Sequence, residues 1–152
     1  MRVLGLDLGE RRIGVALSDR LGFLATPLMV LKHRSKEADL AAIAELVSDR
    51  GVEVVVVGHP LSLDGSVGPQ ARRVEAQASR LREHLDVPVV LWDERLSTVE
   101  AERLIHETGK RVRRDRIDAA AAAVILQSYL DVQGSAGNQQ WQMSCVGVNG
   151  EE

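Results

Sequence analysis

Val3-Leu4-Gly5-Leu6-Asp7-Leu8 passes through Gly9-Glu10-Arg11 into Arg12-Ile13-Gly14-Val15-Ala16-Leu17-Ser18. Val3 to Leu8 is a short apolar run with one acid inside it, the pattern of a buried strand. Arg12 to Ser18 is a second apolar run, and the Gly9-Glu10-Arg11 link suits a hairpin turn. Phe23 to Leu31 reads as a third strand, and Pro27, which has no N–H, sets it at a sheet edge. These three predict an antiparallel meander.

Downstream the period changes. Ser35 to Asp49 carries Leu40, Ile43, Ala44 and Val47 at helical spacing, and Gly51 closes that helix. Glu53 to Gly58 (EVVVVG) is a β-branched run typical of a strand covered on both faces. His59 to Pro69 is a Gly- and Pro-containing loop, and Gln70 to His84 is a helix with an Arg-rich outer side. Val87 to Trp92 is another buried strand. Ser97 to Glu107 is a helix whose Ser97-Thr98-Val99-Glu100 fits a capping box. Ile117 to Val132 is an Ala-rich helix. Strand–helix alternation implies parallel strands and right-handed crossovers. The expectation is an α/β fold: a mixed five-stranded sheet of a three-strand antiparallel meander plus two parallel strands, flanked by helices. Residues 1–132 would form one domain, and 133–152, rich in Gly, Ser, Asn and Gln, a flexible tail.

Composition narrows the class. A chain of 152 residues is sized for one domain with a real core. Aromatics are only 3%, so aliphatic side chains must build that core. The formal net charge of -3 argues against binding nucleic acid by bulk charge, but not against a local basic patch. The lone Cys145 rules out a disulfide within the chain and fits a reducing cytoplasm. No signal-peptide pattern and no run of about 18 apolar residues is present, so no membrane partner is expected.

Three acids occupy unusual places. Strand alternation puts Asp7 on one face with Val3 and Gly5, where a carboxylate is costly unless compensated; a strand-end Asp bonding a turn is the simpler alternative. Asp93 and Glu94 end a strand, and one of them must turn toward a buried face or its rim. Asp118 shares a helical stripe with Ala121, Ala122, Ile125 and Tyr129, the face that should pack on the sheet; a favourable position in the helix dipole is the competing account. Carboxylates share a small volume only when cations neutralise them; otherwise they protonate. Oxygen ligands suit Mg2+ or Mn2+, and two such ions can serve phosphodiester hydrolysis.

Asp7-Leu8-Gly9 followed by Arg12-Ile13-Gly14-Val15-Ala16 resembles the opening of the YqgF/RuvX family of Holliday-junction-resolvase-like proteins and pre-16S rRNA nucleases. Three later segments share the resemblance: Val57-Gly58-His59-Pro60-Leu61-Ser62-Leu63-Asp64-Gly65, Asp93-Glu94-Arg95-Leu96-Ser97-Thr98, and Ile117-Asp118 leading into Ala122 to Tyr129. Together they span roughly Met1 to Leu130. The resemblance implies a ribonuclease H-like fold, a metal-dependent nuclease, and catalytic, metal-holding acids at Asp7, Glu94 and Asp118. His59 and Ser62 stand where the family more often has Leu and Asn. Asp93 is a further acid in reach of a metal. Asp115, three residues before Asp118, is open to either a metal role or an N-cap.

Lys110, Arg111, Arg113, Arg114 and Arg116 form a basic segment just before Asp118. Beside an acidic metal centre it reads as a phosphate clamp, with Arg11, Arg12, Arg72, Arg73 and Arg95 extending it; a solvated charge run is the plainer account. The implied activity is hydrolysis of structured nucleic acid: 5'-end processing of a pre-16S rRNA, resolution of a four-way DNA junction, or both. Resolution would require a symmetric homodimer. Two other classes compete. A non-catalytic binding or assembly factor on the same fold would have no use for clustered negative charge. An actin-like ATPase would need a second lobe, for which the chain is too short, and no P-loop is present.

Overall fold

The computed structural model describes residues 1–96 and 114–135, and of residues 96, 114–118 and 135 the backbone alone. The elements run β1 (Val3–Leu8), β2 (Arg12–Ser18), β3 (Ala25–Lys32), α1 (Lys36–Asp49), β4 (Val54–His59), α2 (Pro69–His84), β5 (Val89–Asp93), a short 3-10 turn (Glu94–Leu96) and α3 (Arg114–Ser135). The five strands lie in the order β3-β2-β1-β4-β5. β1 pairs antiparallel with β2 and β2 with β3, whereas β1 pairs parallel with β4 and β4 with β5. This is the expected mixed sheet, with the meander on one side and the parallel strands on the other. The helix expected over Ser97–Glu107 and the segment 136–152 lie outside the described residues.

Local chemistry explains the boundaries. Pro27 sits on the edge strand, where a missing N–H costs no ladder bond, and the β2–β3 register shifts at Val15/Ala16 beside it. β3 starts at Ala25 rather than at Phe23, because the Asp19 carboxylate accepts the N–H groups of Phe23 and Leu24 and keeps them in a turn. Ser35 caps α1 by accepting the Ala38 N–H at 3.0 Å. Gly68 and Pro69 open α2, with Pro where its fixed φ suits the first helical turn. α3 exceeds the expected Ile117–Val132 at both ends and carries its helical backbone through Gly134.

Side-chain alternation splits the core into two layers. Leu4, Leu6, Leu8, Val55 and Val57 point to one face, where Ile43 of α1 and Val74, Ala78 and Leu81 of α2 cover them. Val3, Ala16 and Val56 point to the other, where Ala122, Ile125, Leu126 and Tyr129 of α3 cover them. Trp92 meets Tyr129 edge to face at 5.3 Å, and its Nε1 donates to Ser128 Oγ at 3.0 Å. Gln127 ties α3 to the far side of the sheet: its Oε1 accepts the Ala25 N–H and its Nε2 donates to the Phe23 carbonyl.

α3 lies so close to β1 that Gly5 has no room for a side chain. A Cβ there would come 2.8 Å from Leu126 Cβ and 3.2 Å from the Ala122 carbonyl oxygen, atoms fixed to the helix backbone. Gly5→Ala should therefore cost about 1–3 kcal/mol, the usual range for overpacking. Urea unfolding measures it, and a midpoint equal to wild type would refute the close contact.

Candidate active site

Asp7 is the last α3-facing residue of β1. It follows Val3 and Gly5 on that face, stands opposite Gly14 of β2, and is half-buried. β4 and β5 end at the same edge of the sheet, since both run parallel to β1.

The strand end Asp93-Glu94 resolves the question of which acid turns inward. On β5, Val89 and Leu91 belong to the α1/α2 layer, and Asp93 continues that side, in register with His59. Val90 and Trp92 belong to the α3 layer, and Glu94 follows them. Its carboxylate settles over Gly58: a Cβ on Gly58 would meet Glu94 Oε2 at 2.9 Å, Glu94 Cγ at 3.0 Å and Ile125 Cδ1 at 2.7 Å. The glycine leaves the space that the carboxylate occupies.

The two neighbouring acids are driven apart electrostatically. Asp93 is gripped by Arg95, whose Nε donates to both carboxylate oxygens at 3.0 and 2.9 Å and whose Nη2 donates at 2.6 Å. These bonds hold Asp93 below the usual carboxylate range. Glu94 is pushed up to about 7, first by burial, then by the negative charge of Asp7, then by that of Asp93. Environments that separate the pKa values of two carboxyl groups are a mark of functional acid pairs.

Position 118 lies on the α3 backbone one turn before Ala122 and two before Ile125, on the helical stripe that covers this face. Its side chain, with those of Arg114, Asp115 and Arg116, lies outside the described residues, as do Lys110, Arg111 and Arg113 altogether. Among the described residues, no group of three or more His, Cys, Asp or Glu converges on one point. Asp7 and Glu94 supply two carboxylates whose mutual repulsion and burial suit a cation between them.

The expected phosphate contacts divide. Arg11 and Arg12 flank the hairpin at the end of β1 that bears Asp7, exposed and half-buried respectively. Arg95 is committed to Asp93 and also donates to the Leu63 carbonyl at 3.2 Å, pinning the loop after β4. Arg72 and Arg73 lie in the first turns of α2, on the sheet face away from Asp7, and Arg73 Nη2 is buried without a hydrogen-bond partner. One interaction carries no sequence signal: His59 Nε2 and Glu75 Oε2 of α2 meet at 2.8 Å. The period of α2 places Glu75 next to Val74, but nothing in the sequence aims it at His59.

A five-stranded mixed sheet in this order, with a half-buried carboxylate pair at the strand ends, has the ribonuclease H-like fold, and comparison with known proteins supports that fold. The chain belongs to the RuvX family, described as Holliday junction resolvase, whose model matches residues 1–132. A protein of Anaeromyxobacter sp. (strain Fw109-5) is 53% identical over 133 residues, covering 86% of this chain and 97% of that one. One of Desulforudis audaxviator is 48% identical over 140 residues, covering 91% and 99%. Both are provisionally named pre-16S rRNA nucleases. Among solved structures, Thermus thermophilus RuvC in complex with a Holliday junction substrate superposes with a TM-score of 0.62 at 18% identity, covering 89% of this chain and 96% of that one. The Fowlpox virus resolvase with junction DNA gives 0.55 at 11% identity, covering 87% and 98%. At such identities the likeness establishes the fold.

Two predictions follow from this geometry. Gly58→Ala should displace the Glu94 carboxylate while Ile125, contacted only at its flexible tip, adjusts; nuclease activity should drop roughly a hundredfold, as a small misplacement of a reacting group does, with the unfolding midpoint little changed. Wild-type rates in that variant would contradict the seat assigned to Glu94. In metal-free protein, the folded pKa of Glu94 lies above its unfolded value of about 4.5. Its contribution to stability is therefore complete below that value and drains away as pH rises through about 7. Melting temperatures between pH 4.5 and 8 should fall more steeply for wild type than for Glu94→Gln, and parallel curves would count against the shift.

Proposed function

We propose that this chain is a divalent-metal-dependent endonuclease that hydrolyses phosphodiester bonds in structured nucleic acid. The observation that carries the reading is the Asp7–Glu94 pair at the strand ends, with Glu94 held near pH 7 by burial and by Asp7. The relatives' names point to a ribosomal RNA precursor as substrate, and the solved neighbours bind four-way DNA junctions. Both are structured nucleic acids, and we take 5'-end processing of pre-16S rRNA as the primary activity, with junction resolution as the second. The second requires two active sites facing opposite strands, hence a homodimer. No helix among the described residues is long and apolar enough to cross a membrane, and we place the activity in the cytoplasm, where a lone cysteine stays reduced.

In this reading Asp7, Glu94 and Asp118 hold Mg2+ or Mn2+, two ions by preference, with Asp115 as an additional candidate. Such ions, when bound, activate water and neutralise the leaving oxygen. The chain's own residues do the rest. Glu94 must be ionised to hold a cation, so affinity for the metal should rise with pH as Glu94 loses its proton. Asp93 serves by fixing Arg95 and, through it, the Leu63 loop. Arg11 and Arg12, with Lys110, Arg111, Arg113, Arg114 and Arg116, supply phosphate contacts that position substrate without reading sequence, whereas Arg72 and Arg73 lie on the other face of the sheet.

The test sets a labelled ribosomal RNA precursor beside a four-way DNA junction, each with purified protein in Mg2+ or Mn2+. Asp7→Asn should lose more than the ~100-fold typical for an outer-shell partner of a metal, with its circular dichroism unchanged. A fully active Asp7→Asn protein overturns the reading.

A further inference from the structure

The opposite end of the sheet carries a second feature. A cleft of about 290 Å3 opens there, lined by Arg2, Arg20, Arg50, Gly51 and Glu53. On that measure one water needs only roughly 10–15 Å3. Arg2 precedes β1, Arg20 lies in the β2–β3 turn, and Arg50 is the C-cap of α1. Three arginines from three separate segments therefore line one cleft, with Glu53 the single acid among the lining residues. Among the described residues, none of the three pairs with an acid. Residues of one sign gathered in a cleft focus the field there and attract the opposite charge.

The cleft is also preorganised. Arg2 Nη1 donates to the Arg50 carbonyl at 3.1 Å, which joins the start of β1 to the end of α1. The Glu53 N–H donates to the Arg2 carbonyl at 2.8 Å. Arg2 Nε is buried without a partner, so only one of the five donors of that guanidinium is engaged. Arg20 is presented by a firm turn: the Asp19 carboxylate accepts two N–H groups, and the Gly22 N–H, at φ +77, donates to the Asp19 carbonyl. At Gly51 a Cβ would meet nothing within 4 Å, so the cleft stays open on that side.

We propose that this cleft binds a phosphate group, held by Arg2, Arg20 and Arg50, and that in a nucleic-acid substrate it takes a backbone phosphate remote from the bond that is cut. Guanidinium forks match phosphate oxygens geometrically, and the net charge of the lining suits one anionic group. From Arg2 to Asp7 the chain advances five residues along β1, roughly 17 Å at ~3.3 Å each. That equals about five nucleotides of one duplex strand at ~3.4 Å per nucleotide. A continuous helical arm can thus reach both ends of the sheet. The phosphate site stands on the cleft alone; its use by substrate rests on the nuclease reading.

The test is the double variant Arg20→Gln/Arg50→Gln, both exposed positions, with Arg2 kept in place. Metal-free binding of a four-way DNA junction is measured from 50 to 200 mM salt. The plot of log K against log salt should be shallower than wild type by roughly 0.9, the loss of one phosphate contact, with matching unfolding midpoints. In parallel, inorganic phosphate titrated into the wild type at constant ionic strength should move the amide resonances of Arg20 and Gly51, and not in the variant. Phosphate shifts with an unchanged salt slope would overturn the backbone contact and make this a site for a free anion. No shifts and no change of slope would overturn the site itself. If the wild type binds no junction and no RNA stem, the nuclease reading fails, and the phosphate titration still decides the cleft.

Discussion

The close seating of α3 on the sheet is the constraint on which the rest depends. β1 and β4 present glycine at Gly5 and Gly58, and α3 fills both gaps with Leu126, Ala122 and Ile125. The contact buries one face of a sheet that has few aromatics to cover it, so aliphatic interdigitation must stabilise it. It also brings the backbone of position 118 to the face that carries Asp7 and Glu94. A side chain at Gly5 would have to push the helix away from β1. The packing of α3 and the placing of position 118 are therefore one arrangement.

Within that arrangement, electrostatics assigns different duties to adjacent acids. Asp93 and Glu94 are neighbours in sequence yet face opposite layers. Asp93 has a bidentate cation in Arg95 and stays ionised. Glu94 has burial and Asp7 against it and rises to about 7. A half-buried carboxylate pair of this kind gains stability by taking up a proton or by holding a cation. This frustration in the free protein becomes affinity for a divalent ion, so the destabilising feature and the functional one are the same.

Net charge conceals how this protein would meet a polyanion. The overall value is -3, yet arginines collect beside the hairpin at Asp7, in the first turns of α2, and at the remote cleft of Arg2, Arg20 and Arg50. Part of the balancing negative charge lies on α1 at Glu37, Asp39, Glu45 and Asp49, with Asp39 turned inward against His33. Separation of charge over the surface orients a long anionic ligand in a way that a uniformly basic surface would not.

Much of the architecture was legible in the sequence because it follows from periodicity. The acid inside Val3–Leu8, the EVVVVG run and Pro27 at an edge each constrain the backbone locally, and the meander and parallel strands emerged as read. Strand alternation alone put Asp7 with Val3 and Gly5, and the family motifs named Glu94 and position 118. Tertiary structure decided what local pattern cannot hold. That Glu94 rather than Asp93 turns inward depends on Gly58, thirty-six residues earlier in the chain. That Arg95 serves Asp93, that His59 meets Glu75, and that Arg2, Arg20 and Arg50 share a cleft are likewise long-range facts. Period and composition specify which way a residue faces along its own element; only the packing of elements specifies which other residues it faces across the gap.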